Sequence, residues 1–275
     1  MPDAVIKITK ELCKGVNALS FSTPVAYVYN PLEYAWNSHL SYLKKYGNGT
    51  GRALLLGMNP GPWGMAQTGI PFGEVNAVRD FLGIEERVEQ PQNVHPKRPV
   101  RGFDCPRSEV SGRRVWDWAK ERYGSAERFF NEFFVLNYCP LCFMEKGGKN
   151  RTPDKLIPEE RDAVFEVCDV ALRKFVDVLE PSKIVGIGGF AKKRAMKTLE
   201  RDDIETILHP SPASPMANRG WAPQIEKQFK SMGVCLPAKS QVRRRLVAMP
   251  AIPMSAIAAG VGTVVTLKAK VDPSS

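Results

Sequence analysis

The 275-residue sequence lacks the short motifs that mark several common enzyme classes. It has no G-x-S-x-G elbow, which argues against a serine hydrolase of that fold, and no H-E-x-x-H zinc motif. It also has no Walker motif, and the Gly-Ile-Gly-Gly of residues 186–189 is too short and wrongly followed for a dinucleotide fingerprint. A nucleotide-binding hydrolase is therefore disfavoured.

Cysteine is too sparse for a disulfide framework, with six residues in a chain of this length. Cys139 and Cys142 have C-x-x-C spacing, so a metal or redox role is one interpretation and a pair of small buried hydrophobic residues is the other. No second close pair completes a four-ligand set, which favours the second interpretation. The N-terminus has no apolar segment of the secretory type, so we expect an intracellular, reducing location.

The chain carries a large excess of basic over acidic residues. The net charge of +10 and the pI near 9.3 favour a polyanionic partner, with nucleic acid first and an acidic membrane surface second. Simple solubility is the remaining explanation. From Pro237 onward, basic residues far outnumber the single acidic residue Asp272, so much of the excess lies in the C-terminal tail.

Short apolar runs alternate with amphipathic segments along the chain. Strands are predicted at residues 52–56, 133–136, 183–187 and 204–208. Helices are predicted at residues 24–46 with a break near Pro31, and at 74–82, 111–123, 158–179 and 189–200. Residues 88–108 form an irregular basic segment. The pattern predicts an α/β fold, a three-layer α/β/α sandwich around a mostly parallel four-stranded sheet.

Each predicted strand is followed by a polar or glycine-rich residue. Asn59 follows the first strand, Asn137 the second, Gly188-Gly189 the third and His209 the fourth. Because ligands of parallel sheets bind beyond the carboxyl ends of the strands, these residues are predicted to meet in one site.

The residue types at this predicted site suit a nucleobase. Asparagine holds a donor and an acceptor in one plane, which suits the orientation of a water molecule or recognition of a base edge. Histidine can donate to an oxygen that gains negative charge, and Phe72, between Pro71 and Gly73, offers a rigid stacking surface. A base pocket on a basic α/β protein indicates base-excising chemistry.

Two long segments carry a family resemblance. Residues 57–73, GMNPGPWGMAQTGIPFG, and residues 209–221, HPSPASPMANRGW, closely resemble the signature segments of the uracil-DNA glycosylase superfamily. Residues 108–143, with SEVSGRRVW and FFVLNYCPLCFM, resemble its single-strand-selective monofunctional branch. The resemblance covers about residues 22–236. It implies an N-terminal extension at 1–21, a catalytic domain of the uracil-DNA glycosylase fold at 22–236, and a tail at 237–275.

The resemblance implies a role for each residue around the base. Asn59 is expected to position the attacking water, and His209 to stabilise the uracil anion that leaves through its O2 oxygen. Phe72 is expected to stack on the flipped base, and Asn137 to hydrogen-bond its Watson–Crick edge.

The resemblance also implies substrate and DNA contacts. Gly61 and Met65 are expected to form the wall near C5, where related enzymes accommodate oxidised pyrimidines such as 5-hydroxymethyluracil. The loop expected to enter the duplex consists of Pro210, Ser211, Pro212, Ala213, Ser214, Pro215, Met216, Ala217, Asn218 and Arg219. Relatives often carry a basic residue where Ala213 stands, whereas Arg219 is the only charged residue of this loop. Met216 is expected to serve as the apolar wedge.

These features together predict a DNA base-excision repair enzyme. It is expected to act in the nucleus, as a monomer, on DNA containing uracil or an oxidised pyrimidine, without metal or cofactor and without a membrane partner. No lysine in the motifs is placed to form a Schiff base, so base removal without strand cleavage is expected. The alternative is a catalytically silent protein that binds uracil or damaged DNA.

Structural roles remain open for the same residues. Asn59 and Asn137 could cap their strands, His209 could be a core histidine, and Phe72 could be ordinary core.

The tail has a basic cluster at 239–245 and an uncharged run at 246–267 that is long enough for a bilayer but weakly hydrophobic. A disordered extension that adds phosphate contacts or nuclear targeting is favoured over a membrane anchor.

Overall fold

The computed structural model describes residues 2–239, and the interpretation of the tail beyond residue 239 lies outside them. The strands are β1 Val25–Tyr29, β2 Ala53–Gly57, β3 Phe133–Asn137, β4 Cys142–Glu145, β5 Asn150–Arg151, β6 Lys183–Ile187 and β7 Glu205–Ile207. The helices are α1 Pro2–Asn17, α2 Pro31–Tyr34, α3 Trp36–Tyr46, α4 Met65–Thr68, α5 Val75–Asp80, α6 Val110–Tyr123, α7 Ala126–Glu132, α8 Pro158–Leu179, α9 Gly189–Leu199, α10 Pro215–Asn218 and α11 Trp221–Ser231. Short 3₁₀ turns lie at Gly102–Asp104 and Pro153–Lys155.

Four strands form the central sheet in the order β3-β2-β6-β7, and every pair is parallel. All five residues of β2 are buried. Because successive side chains of a strand point to opposite faces, this burial means that both faces of the sheet are covered. The predicted α/β fold with a parallel four-stranded sheet is confirmed.

The prediction of a helix over residues 24–46 with a break near Pro31 is wrong in the part before Pro31. Residues Val25–Tyr29 form β1, which pairs antiparallel with β4, and β4 pairs in turn with β5. The run Val-Ala-Tyr-Val-Tyr is rich in residues that favour strands, and Pro24 and Pro31 bound it. This small antiparallel sheet matters for the site because β5 ends beside the cavity described below.

Helix α1 belongs to the same hydrophobic core as the central sheet. Its buried residues Val5, Ile8, Leu12 and Val16 lie on one side of the helix, which packs against α8. A Cβ on Gly15 would lie 2.7 Å from Val167 Cγ1, so the two helices approach closely at this point. The predicted extension at residues 1–21 thus contains a packed helix.

None of the helices in residues 2–239 is long and apolar enough to cross a membrane.

Candidate active site

A cavity of about 560 Å³ opens beyond the carboxyl ends of the parallel strands. The structure brings together in it all six residues predicted to contact the base or the water, which are Asn59, Gly61, Met65, Phe72, Asn137 and His209. The first four lie between β2 and α5, with Met65 as the first residue of α4; Asn137 ends β3, and His209 follows β7. Three parallel strands therefore deliver these residues to the same edge of the sheet.

The side chain of Asn59 is held by its amide nitrogen. Nδ2 donates to the carbonyl oxygen of Leu141 at 3.1 Å and lies 3.4 Å from that of Pro60. Two carbonyl oxygens beside the same atom identify it as the amide nitrogen, so Oδ1 is the free acceptor. No described residue donates to Oδ1, and Asn59 therefore offers a fixed acceptor to the cavity.

His209 presents a proton donor to the cavity. Its Nδ1 accepts a hydrogen bond from the backbone N–H of Ser211 at 3.1 Å, so the proton of the neutral ring lies on Nε2. Burial lowers the pKa of the His209 imidazole below its usual value, which favours the neutral ring. A neutral histidine can donate from Nε2 to an oxygen that becomes negative.

Phe72 occupies an uncommon backbone conformation, with a φ of 53°. Its carbonyl oxygen accepts from the Trp116 indole N–H at 2.9 Å and from the Glu74 N–H at 2.7 Å. A Cβ on Gly112 would come 2.1 Å from the same oxygen, so α6 packs directly on the Phe72 backbone. Residues in such conformations persist where surrounding contacts hold them, and they cluster at functional sites.

The ring of Phe72 and the amide of Asn137 meet over Gly57. A Cβ at position 57 would lie 2.2 Å from Asn137 Oδ1 and 2.7 Å from Phe72 Cε2, so only glycine allows both groups to approach. Asn137 Nδ2 contacts the Met65 sulfur at 3.2 Å. A stacking ring, a planar amide and a thioether thus surround one space of the cavity.

Glu109 also lines the cavity, and the sequence reasoning missed it. A Cβ on Gly61 would lie 2.1 Å from its Oε1, and a Cβ on Gly64 would lie 2.2 Å from its Oε2, so its carboxyl occupies the room that these glycines leave. Burial raises the pKa of Glu109 to about 7; the Gly112 N–H partly offsets this, and the Glu74 carboxylate adds to it. Its place within the SEVSG motif was the available signal.

The loop at 210–219 borders the cavity through Ser211 and Pro212 and contains the short helix α10. Met216 on α10 is exposed, with 57% of its surface accessible, and Arg219 and Ala213 are also exposed. Arg114, a second residue that the sequence reasoning missed, donates to the carbonyl oxygens of Pro210 and Ser211 and to Asn218 Oδ1, at 2.8 to 3.2 Å.

The C-x-x-C pair is buried away from the cavity lining. Cys139 and Cys142 have no accessible surface, and burial raises the pKa of the Cys142 thiol far above its usual value. A raised pKa disfavours the thiolate that metal binding and disulfide exchange require. Within residues 2–239, no cluster of three or more histidine, cysteine or acidic side chains is arranged to hold a metal ion.

Known proteins resemble this chain in both sequence and fold. The family model of the uracil DNA glycosylase superfamily matches residues 44–231. The chain is 45% identical over 223 residues, which cover 80% of each chain, to the single-strand selective monofunctional uracil-DNA glycosylase of Rattus norvegicus. It is 46% identical over 220 residues to the protein of that name from Bos taurus, over 78% of this chain and 81% of the relative.

The fold also resembles the crystal structure of wild-type SMUG2 from Pedobacter heparinus, with a TM-score of 0.59 and 21% identity over 82% of this chain and 96% of that chain. At this identity the likeness concerns the fold alone. The sequence matches span most of the chain and include the loops that build the cavity. The chain belongs to the uracil DNA glycosylase superfamily.

Proposed function

We propose that this protein is a monofunctional uracil-DNA glycosylase, a hydrolase that removes uracil from DNA and leaves an abasic site without cleaving the strand. The proposal rests on one observation: an oriented acceptor, Asn59 Oδ1, and an oriented donor, His209 Nε2, belong to residues that line the same cavity. The activity named for the relatives of Rattus norvegicus and Bos taurus supports the same assignment.

The reaction breaks the bond between the sugar C1′ and the uracil N1. The bonding electron pair leaves with the base, so negative charge develops on uracil O2 while positive charge develops on the sugar. His209 Nε2–H donates to that oxygen, and one preorganised donor of this kind is typically worth about 3 to 4 kcal/mol. The water held by Asn59 Oδ1 attacks C1′, and its proton passes to the solvent or to the departing base.

The extruded base is held between Phe72 and the amide of Asn137. Phe72 stacks on the base, and its backbone contacts to Trp116 and Glu74 keep the ring in place. Asn137 reads the Watson–Crick edge, with Met65 against its amide. Extrusion costs a few kcal/mol and costs least in single strands and mismatches. Met216, exposed on the loop at 210–219, fills the gap in a duplex.

Oxidised pyrimidines such as 5-hydroxymethyluracil belong to the same proposal. Gly61 has no side chain, and Glu109 Oε1 stands where one would be, so the wall near C5 presents a hydrogen-bonding group. Ionised or protonated, the Glu109 carboxyl keeps an oxygen that accepts from a hydroxymethyl group, whereas thymine offers only a methyl group there. The basic charge and the DNA substrate support a nuclear location. Every group assigned here to the base and the water belongs to one chain, so the proposed reaction needs no residue from a second subunit and the proposal is of a monomer.

The proposal is tested with a labelled single-stranded oligonucleotide that contains one uracil. Wild type, Asn59→Ala and the exposed-site control Asn76→Ala are each incubated with it in excess EDTA, and half of every sample is treated with hot alkali. We expect cleavage only after alkali, in wild type and Asn76→Ala, and about 100-fold or more loss in Asn59→Ala.

Other outcomes identify the rival functions. Cleavage without alkali would mean a lyase with an unrecognised nucleophile. Tight binding of the uracil strand by wild type without any release of base would establish the catalytically silent binding protein instead. The same assay with 5-hydroxymethyluracil in place of uracil tests the wider substrate range, and failure there would restrict the proposal to uracil.

A further inference from the structure

Two arginines contact one aromatic ring at the cavity. Trp63 lines the cavity and is half-buried. The guanidinium carbon of Arg107 lies 4.6 Å from the centre of its ring, and that of Arg98 lies 5.3 Å away. Such contacts hold a guanidinium group in place while its N–H donors remain available at the edge of its plane. The base-removing step assigned above uses none of these three residues.

The irregular basic segment that carries both arginines is fixed to the loop of Trp63. The side-chain amide of Gln67, which is fully buried, donates to the carbonyl oxygens of Pro62 at 2.8 Å and Pro99 at 3.0 Å. Its Oε1 accepts from the Arg101 N–H at 2.8 Å. Tyr29 donates to the Arg98 carbonyl oxygen at 2.7 Å. Hydrogen bonds therefore hold this segment in place although it has little secondary structure.

The positive charges of the segment are not neutralised within the described residues. Lys97, Arg98, Arg101 and Arg107 form no ion pair there, whereas Arg122 and Arg194 are each paired with a carboxylate. The Arg107 side chain is exposed and donates to no described residue, and Arg98 donates only to the Lys97 carbonyl oxygen. Fixed, unpaired guanidinium groups beside a base pocket match what a phosphate backbone requires.

We propose that Arg98 and Arg107, oriented by Trp63, bind backbone phosphates of the strand whose nucleotide enters the cavity. This inference rests on the proposed DNA substrate. It gives the protein a second DNA contact surface, separate from the loop at 210–219. A grip on the damaged strand itself needs no complementary strand. It therefore supplies affinity for single strands, which the wedge at Met216 cannot, since a wedge acts only by entering a duplex.

Salt dependence of binding tests this phosphate contact directly. Each variant is made in the Asn59→Ala background, and affinity for a uracil-containing single strand is measured by fluorescence anisotropy over a range of KCl. Arg98→Ala and Arg107→Ala are expected to lower the slope of log K against log salt by about 0.7 each. The control Arg128→Ala, an exposed arginine on α7 before the amino end of β3, should leave the slope unchanged.

Trp63 is tested by a double-mutant comparison. Trp63→Leu is expected to weaken binding when both arginines are present and to have little further effect once both are alanine. An equal loss in both backgrounds would overturn the role of Trp63 as the group that orients the arginines.

Activity separates this inference from the function on which it rests. In the Asn59-containing protein, Arg98→Ala and Arg107→Ala are expected to raise the enzyme concentration that gives half of the maximal single-turnover rate of uracil release. Unchanged salt slopes in both arginine variants, with wild type still releasing uracil, would overturn the phosphate contact alone. No uracil release by wild type would overturn the proposed function itself.

Discussion

Gly188 packs against the side chain of His209. Its φ of 93° lies in the left-handed region, and a Cβ there would come 3.1 Å from His209 Cβ and 3.2 Å from Cδ2. Gly189, the next residue, has open space where a Cβ would be. Of these two glycines, only Gly188 contacts the site. Its missing side chain leaves room for the His209 imidazole rather than for a phosphate.

Gly188→Ala is expected to slow uracil release by about tenfold or more, because the new methyl group displaces the His209 donor from its aligned position. The measurement is the single-turnover rate on a single-stranded uracil substrate. Gly189→Ala is the matched control and should keep the wild-type rate. Equal rates in the two variants would show that the position of His209 does not depend on Gly188.

Protonation of Glu109 makes the free energy of unfolding depend on pH. Its pKa is raised by burial to about 7 in the folded state, against an ordinary value of 4.5, so the folded protein binds the proton more tightly than the unfolded chain. The stability that this proton provides is fully present below about pH 4.5 and is lost as pH rises through about 7.

Glu109→Gln removes this titration, since glutamine remains neutral. Between about pH 4.5 and 7.5, we expect the wild type to lose about 2 kcal/mol of unfolding free energy relative to the variant. Urea denaturation at several pH values measures the difference. Glu166→Gln, at an exposed position on α8, should follow the wild type throughout. A constant difference between Glu109→Gln and wild type would contradict the raised pKa.

Helix α6 and the loop at 210–219 are joined through one side chain. Arg114 on α6 donates to two carbonyl oxygens at the start of the loop, and its other terminal nitrogen reaches Asn218 at the end of α10. Ser214 caps α10 by accepting from the Ala217 N–H at 3.3 Å. The exposed Met216 is therefore presented on a loop that is held from both ends.

Arg114→Met is expected to lower uracil release from duplex DNA at least about fivefold more than release from a single strand. Loss of charged hydrogen bonds, each worth about 1.5 to 3 kcal/mol, frees the loop that is proposed to enter the duplex. Parallel assays on both substrates measure the ratio. Arg113→Met removes the same charge from an exposed neighbour and should leave the ratio unchanged. Equal losses on both substrates would mean that Arg114 does not act through the wedge.

The core of the whole molecule extends to its N-terminal helix. Leu12, with 5% of its surface accessible, belongs to the hydrophobic cluster that includes β2, β3 and α8. Lys174 on α8 pairs with Glu11 at the surface of the same contact. The helix lies outside residues 44–231, which the family model matches, yet it buries apolar surface that the rest of the core would otherwise expose to water.

Leu12→Ala is expected to reduce the free energy of unfolding by about 2 to 5 kcal/mol, the range for removal of a buried leucine side chain. Chemical denaturation measures the change. Lys7→Ala, on the exposed side of the same helix, should change stability by less than about 0.5 kcal/mol. The rate of uracil release per folded molecule should stay at the wild-type value. A small effect of Leu12→Ala would show that α1 is dispensable to the core.

The four parallel strands were predictable because each is a short apolar run followed by a polar or glycine-rich residue. The bounds of α8 were predictable as well, since Pro158 fits its first turn and Pro181 follows its end. Strand β1 was not, because residues 25–29 suit either a strand or one side of a helix until the pairing with β4 is known. Local pattern alone does not contain that pairing.

The chemical groups of the site were readable from the chain, since Asn59, Asn137 and His209 each follow a predicted strand. Their states were not. The neutral tautomer of His209 depends on the Ser211 N–H and on burial, and the raised pKa of Glu109 depends on enclosure against Gly61 and Gly64.

The positions of the four strands along the chain, and the chemical groups that follow them, can thus be predicted from local sequence, because hydrophobic pattern and turn chemistry act over a few residues. Proton positions and the orientation of guanidinium groups follow only from packing. They depend on hydrogen bonds and desolvation by residues distant in the chain, as where Gln67 ties the segment of Arg98 to the loop of Trp63.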